Sequence, residues 1–310
     1  MSELLANLSS AMLLSPVELM RLIRSAPRRY KVYQIRKRAP GQFRTIAQPA
    51  KEVKALQRWV MEHVLNRHPV HAAATGYRRG QSIADNARRH VHGHFLLKLD
   101  FQDFFPSLKS SDFAFQVHKR DPQLTNQEIE ALSRILFWKP RGSDQLCLSI
   151  GAPSSPLLSN ILLYDFDSSV DAYCSKLKAS YTRYADDLSF SADTSAKLQK
   201  IEEMVGRLCR RLKTPKLTIN TKKTVRVSRK KSRRITGLVI TNDESVSLGR
   251  EQKRCIRASV HYFATGRLSK RECLQLRGML AYVNSVEPAF LVRLRVHYGA
   301  EVIRAIQTFT

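Results

Sequence analysis

Hydrophobic positions recur along the chain with two periods, and the changes of period mark its elements. Leu4, Leu5, Leu8, Met12 and Leu13 fall at helical spacing, and Ser15-Pro16-Val17-Glu18 restarts a helix with a cap and a proline at its first position. Two strand-like runs follow, Lys31 to Ile35 and Phe43 to Ile46, around Ala39-Pro40-Gly41, which reads as a hairpin turn. Helical spacing returns over 51–66 through Val53, Leu56, Val60, Val64 and Leu65. From His94 the run His-Phe-Leu-Leu-Lys-Leu-Asp reads as a buried strand that ends in a carboxylate. Residues 111–138 predict mostly helix, with Thr125 and Glu128 as a capping box, and 153–173 another helix after a Gly-Ala-Pro turn. Strands over 181–184 and 188–191 flank Ala185-Asp186-Asp187, and an amphipathic helix is expected over 194–212. Beyond Gly249 the pattern is helical to the end, in three segments broken near Gly266 and Glu287-Pro288. The fold class is therefore α+β, with an all-helical tail and no internal repeat.

Charge narrows the partners. Lys and Arg total 53 against 26 acidic residues, a net charge of +27, and such a field draws polyanions, of which nucleic acid is the commonest. Residues 21–58 hold 12 basic residues against the single acid Glu52, and 222–234 hold 8 with no acid, so both read as phosphate-facing surfaces. A membrane role is not expected. The apolar runs are too short to span a bilayer, and no signal peptide, myristoylation signal or prenylation box is seen. The five cysteines (Cys147, Cys174, Cys209, Cys255, Cys273) form no CxxC pair and have no His at zinc spacing, so they read as thiols of a reducing compartment.

Chemistry concentrates at three carboxylates. Asp186 and Asp187 sit between short β-type runs, at a tight hairpin tip where their repulsion is costly unless a divalent cation lies between them. An acidic pair alone is common in solvated turns, and Asp100 changes that reading. Carboxylates from two strand ends can hold two Mg²⁺ ions about 3.5–4 Å apart, the geometry of in-line phosphoryl transfer. Asp103, three residues on, reads as an ordinary structural acid.

The residues around these acids resemble a family. Leu99-Asp100-Phe101-Gln102-Asp103-Phe104-Phe105-Pro106-Ser107, Gly151-Ala152-Pro153-Ser154-Ser155-Pro156 and Tyr181-Thr182-Arg183-Tyr184-Ala185-Asp186-Asp187 resemble, in order, three palm motifs of reverse transcriptases. Phe43-Arg44-Thr45-Ile46 with Pro49, and Gly76 to Ile83, look like the two fingers motifs. Leu217 to Thr224 looks like the motif that carries the palm lysine. The likeness covers about residues 30–240. Asn86-Ala87-Arg88-Arg89-His90 fits the NAxxH signature of the bacterial retron branch, and Ile235-Thr236-Gly237 stands where that branch carries Val-Thr-Gly. After the helical tail there is no room for the maturase or endonuclease regions of group II intron proteins.

The resemblance implies a right-hand polymerase, with fingers over 1–95 and an insertion near 112–148, a palm over 96–240 with an antiparallel sheet and helices, and a helical thumb over 241–310. It implies RNA-directed DNA synthesis in the cytoplasm on a cognate noncoding RNA, using dNTPs and primed from a guanosine 2′-hydroxyl. The product would be branched multicopy single-stranded DNA, with an effector protein as partner and a role in phage defence. Asp100, Asp186 and Asp187 would bind two Mg²⁺ with the Phe101 carbonyl. Phe105 would be the steric gate against ribose, and Arg44 would grip the triphosphate, with help from Arg78 and Arg79. Gly151, Ala152 and Pro153 would line the nucleotide pocket. Ile150 replaces the family's usual Gln before that glycine, which removes a side-chain hydrogen bond. Lys223, or Lys222 beside it, would protonate pyrophosphate. Asn86, His90, Thr236 and Gly237 would read the RNA. Two rivals stay open: another stand-alone or group II-like reverse transcriptase, and an inactive RNA-binding scaffold.

Overall fold

The computed structural model describes residues 2–36 and 41–310. Two helices, α1 (Glu3–Met12) and α2 (Pro16–Ser25), open the chain. The Ser15 hydroxyl accepts from the Glu18 amide and the Glu18 carboxylate accepts from the Ser15 amide, so the expected cap is a complete capping box. Strands β1 (Tyr30–Arg36) and β2 (Phe43–Pro49) pair antiparallel. The turn expected at Ala39-Pro40-Gly41 lies, Gly41 apart, outside the described residues. Helix α3 (Lys51–His63) turns Val53, Leu56 and Val60 into the interior, and a short helix, α4 (Ile83–Arg88), precedes the central strand β3 (Phe95–Asp100).

One turn of helix, α5 (Phe104–Ser107), follows β3. Then α6 (Ser110–Arg120) and α7 (Asn126–Leu136) return the chain to the N-terminal helices, α7 packing on α2 and α3. The Thr125–Glu128 capping box expected at the start of α7 is present. The expected helix over 153–173 is two helices, α8 (Ser155–Leu162) and α9 (Tyr164–Lys176).

Strands β4 (Ser180–Tyr184) and β5 (Asp187–Ala192), helix α10 (Ser195–Arg211) and strand β6 (Val225–Ser228) complete the palm-like sheet, ordered β4-β5-β3-β6 and antiparallel throughout. Side chains alternate across the sheet. Leu97, Leu99, Leu188, Phe190 and Tyr181 enter the main core, which α9 and α10 cover. Leu96, Lys98, Asp100, Asp187, Ser189, Ser191 and Thr182 lie on the other face.

A second sheet, β7 (Arg233–Ile235), β8 (Leu238–Ile240) and β9 (Val246–Ser247), stands beyond it. Four helices end the chain: α11 (Arg250–Ala264), α12 (Lys270–Val286), α13 (Pro288–Tyr298) and α14 (Ala300–Thr308). The sequence pattern gave three segments; Gly299, at φ 89°, adds a break between the last two, where a left-handed residue ends one helix before Ala300 starts the next.

The apolar interior forms two cores. The first joins the N-terminal helices, α3, α6–α10 and the covered sheet face. The second joins Ala84, Ala87 and Val91 to Ile235, Leu238 and Ile240 and to the four terminal helices. Strands β7 and β8 bury their apolar side chains with the terminal helices, so this core draws on both sides of residue 240.

Candidate active site

The antiparallel register brings the acids together. Asp100, the last residue of β3, pairs with Asp187, the first of β5. The Phe101 amide donates to the Asp186 carbonyl at 3.1 Å, which fixes the chain after Asp100 against the β4–β5 turn. Ala185, inside that turn, has φ 56°, the left-handed region that a non-glycine residue adopts at a cost. Gly76 packs against it so closely that a Cβ there would lie 3.0 Å from the Ala185 nitrogen, which is why a glycine occupies the position.

Segment 217–223 crosses the same end of the sheet. Gln102 donates to the Thr218 carbonyl and Asn220 to the Asp100 carbonyl, both at 2.8 Å. This crossing delivers Lys223, whose Nζ lies 2.8 and 2.9 Å from the two Asp100 carboxylate oxygens. Lys222 has no such contact among the described residues.

A cleft of about 560 Å³ is lined by Arg44, Lys98, Leu99, Asp100, Asp186, Asp187, Lys223 and Val225. Burial raises the Asp186 carboxyl above its ordinary range, and the neighbouring Asp187 and Asp100 charges raise it further. Burial raises Asp187 as well, with Asp100 adding to it and Lys98 opposing. Lys98 was not singled out from the sequence. It stands two residues before Asp100 on the same strand face, and only the period-2 alternation could have found it.

These acids fit a divalent cation. They are hard oxygen donors, they repel one another, and the Lys223 ammonium on Asp100 offsets only part of that charge, standing where positive charge is wanted. Among the described residues no three His, Cys, Asp or Glu side chains are drawn into a preformed metal cage. The positive charge at this end of the sheet comes from Lys223, Lys98 and Arg44.

A second cleft, of about 330 Å³, is lined by Lys54, Arg58, Tyr77, Phe105 and Ile150 to Pro153, which gathers the expected nucleotide-pocket residues apart from Arg44. Tyr77 links the clefts: its ring lies 6.0 Å from that of Tyr184, and the charges of Asp186 and Arg44 act on its hydroxyl. Gly151, at φ 125°, lies against β2; a Cβ there would meet the Ala47 carbonyl oxygen at 3.1 Å. The Ala47 amide donates to the Ile150 carbonyl at 2.9 Å, so Ile150 contributes backbone where its side chain cannot donate. Arg44 and Arg79 are exposed, and Arg78 donates to the His71 carbonyl at 3.3 Å. Asp103 is exposed and stands at the N-cap of α5 with φ 46°, its side chain making no cap hydrogen bond.

Asn86 and His90 require a correction. Both are 1% exposed, so neither offers its side chain to RNA. The His90 ring nitrogens lie 2.8 Å from Ser191 Oγ and 2.7 Å from Thr182 Oγ1, and burial with the nearby Arg89 charge pushes the imidazole down to about 3. Asn86 is buried where α4 meets the second sheet. Thr236 and Gly237 are the two central residues of the β7–β8 hairpin, with φ 47° and 86°, the signs that a type I′ turn requires. Thr236 donates to the Ile83 carbonyl at 3.3 Å, tying that turn to α4, while Gly237 is exposed. The signature from 86 to 90 thus builds a joint between the palm sheet and the second core. The run from 229 to 234, with the start of α11, lines a basic cleft beside it.

Three acids at the strand ends of an antiparallel sheet, in a cleft shared with Arg44, Lys98 and Lys223, within a hand-like α+β fold, define a nucleic-acid polymerase. Apo telomerase of Candida tropicalis shares this fold, with a TM-score of 0.50 at 12% identity over 89% of this chain and 61% of that one. Telomerase of the same organism in complex with an RNA fragment gives 0.50 at 13% identity over 90% and 60%. This chain spans about three-fifths of those proteins. Residues 35–240 match the family described as reverse transcriptase (RNA-dependent DNA polymerase). The chain is 37% identical over 292 residues to the retron Ec83 reverse transcriptase of Escherichia coli, covering 93% of each. It is 33% identical over 312 residues to the retron Ec86 enzyme, covering 98% of this chain and 93% of that one. The protein belongs to the reverse transcriptases, RNA-directed DNA polymerases, and within them to the retron branch. Membership carries divalent-metal-dependent chemistry with it. No described helix is long and apolar enough to cross a membrane.

Proposed function

We propose that this retron reverse transcriptase copies a cognate structured noncoding RNA into DNA, primed from a guanosine 2′-hydroxyl of that RNA. The product is then a branched RNA–DNA molecule, multicopy single-stranded DNA. The observation that carries the catalytic half is the convergence of Asp100, Asp186 and Asp187 at paired strand ends in one cleft. Likeness to retron enzymes over almost the whole chain supports the self-primed half.

In this reading Asp100, Asp186 and Asp187, with the Phe101 carbonyl, hold two Mg²⁺ ions. Bound there, such ions would supply Lewis acidity toward the attacking hydroxyl and positive charge toward the departing pyrophosphate. Arg44 grips the triphosphate as a guanidinium fork. Phe105 stands below the sugar and excludes a 2′-hydroxyl, and Gly151, Ala152 and Pro153 wall the base and template side. Lys223 leaves Asp100 and gives a proton to pyrophosphate. Residues 1–95 with the 112–148 insertion act as fingers, 96–240 as palm and 241–310 as thumb. Thr236 and Gly237 shape the RNA-binding surface at the second core, and Asn86 and His90 hold it from beneath. The setting is the cytoplasm, with an effector protein as partner in phage defence.

The test is to express the chain with its flanking genomic DNA and examine co-purifying nucleic acid. The expected result is a discrete small DNA that shortens on RNase treatment and is absent from the Asp186→Asn/Asp187→Asn variant. Bound RNA without DNA, beside extension of an added primer, would keep the polymerase and remove self-priming.

A further inference from the structure

The catalytic turn rests on a buried ion pair outside the reaction. Arg183 and Asp167 have fully buried side chains, an unusual state for two charges in a core. On β4, Arg183 lies on the core face with Tyr181, and Asp167 meets both from α9. The guanidinium donates through Nε to Asp167 Oδ1 at 2.8 Å and through Nη2 to Oδ2 at 2.6 Å. Tyr181 Oη donates to Oδ1 at 2.8 Å, so the carboxylate is held from three directions.

The remaining arm of Arg183 points at the active site. Its Nη1 donates to the Ala185 carbonyl at 3.1 Å and to Asn160 Oδ1 at 3.2 Å. Asn160 Nδ2 in turn donates to the Gly76 carbonyl at 2.9 Å. Gly76 is the residue packed on the Ala185 nitrogen. The Arg183 amide donates to the Ala73 carbonyl, and its carbonyl accepts from the Thr75 amide, each at 2.8 Å. Ala185 therefore has its carbonyl bonded to the guanidinium and its nitrogen packed on Gly76, itself tied to the same hub. It is the left-handed residue immediately before Asp186 and Asp187. A strained conformation persists only where its surroundings over-determine it, and here they do.

We propose that Arg183, oriented by Asp167 and Asn160, is a positioning residue that sets the catalytic turn and so aims the Asp186 and Asp187 carboxylates. Only a planar fork reaches Asp167 and Ala185 together; a lysine has one point charge for both. The hub lies on the opposite sheet face from the cleft and touches neither nucleotide nor nucleic acid directly. The inference rests on the assignment of Asp186 and Asp187 as metal ligands.

The experiment measures primer extension on an RNA template against Mg²⁺ concentration, with RNA binding and thermal melting alongside. Arg183→Lys and Asp167→Asn are expected to lower kcat and to raise the half-saturating Mg²⁺ concentration, each by about tenfold or more, with RNA binding within about twofold. Tyr181→Phe removes a donor to Asp167 without touching Ala185, and should leave the Mg²⁺ dependence unchanged. A role in stability alone would shrink the active fraction without moving the Mg²⁺ midpoint. Unchanged midpoints and rates per folded molecule in both variants would overturn the proposal. If neither variant folds, Asn160→Ala decides: it keeps the ion pair, and a midpoint shift of about threefold or more supports the proposal, while none overturns it. Synthesis retained by Asp186→Asn/Asp187→Asn would instead refute the metal assignment itself.

Discussion

The two ends of one sheet face are built on opposite terms. At one end Asp100, Asp186 and Asp187 are crowded, partly desolvated and mutually repelling, and the turn that carries two of them is strained. At the other end of the same strands His90 is sealed between Thr182 and Ser191, neutral and hydrogen-bonded at both nitrogens. Gly93 packs there so tightly on Ser191 that a Cβ would approach its Cβ to 2.5 Å, and the Arg233 guanidinium closes onto the Gly93 carbonyl. One end leaves the Asp186 and Asp187 carboxyls raised by burial and mutual charge, and the other gives both His90 ring nitrogens a hydroxyl partner. Function and stability are therefore separable along a few residues of strand.

Each substitution below sharpens or breaks that contrast. Asp100→Asn is expected to reduce DNA synthesis by about 10³-fold, because a divalent metal supplies several kcal/mol of charge stabilisation; single-turnover extension measures it. Lys223→Ala should slow the same step by about 10²-fold as a lost general acid, with Lys222→Ala within a few-fold of wild type. The reverse ranking would move the role to Lys222. At the quiet end, His90→Leu strands two hydroxyls and should cost about 2 kcal/mol of stability in denaturant melts, with the rate per folded molecule nearly unchanged.

Acid titration probes the same quiet end. The His90 pKa falls from 6.5 to about 3 on folding, so its contribution is present above about 6.5 and is lost as pH falls toward 3, where only the unfolded chain takes the proton. Stability should decline over that window, and His90→Leu should flatten part of the decline.

Much of this was legible in the sequence because contiguous residues carry it. The strand ending in Asp100, the Asp186-Asp187 turn and the Thr125–Glu128 cap each need only local spacing. The Arg183 hub was not legible. Its partner Asp167 lies 16 residues earlier on a helix, and Asn160 on another, so only the fold joins them. His90 was read as an RNA contact because the NAxxH resemblance implied it; its burial follows from the sheet it caps. Strands β7 to β9 were missed since each is two or three residues long, too short for a period to register. The second core was invisible because it joins 84–91 to the terminal helices across more than 140 residues of chain.

The reaction centre is assigned to the repelling acids. That assignment is tested most directly by Asp186→Asn/Asp187→Asn, assayed for RNA-templated extension, RNA binding and metal-free melting at neutral pH. Both carboxyls have folded pKa values raised above the ordinary value, so their contribution to stability is lost as pH rises through those values. Neutralising them should abolish synthesis, keep RNA binding and raise the melting temperature. Retained synthesis, or a fall in melting temperature, would contradict the account.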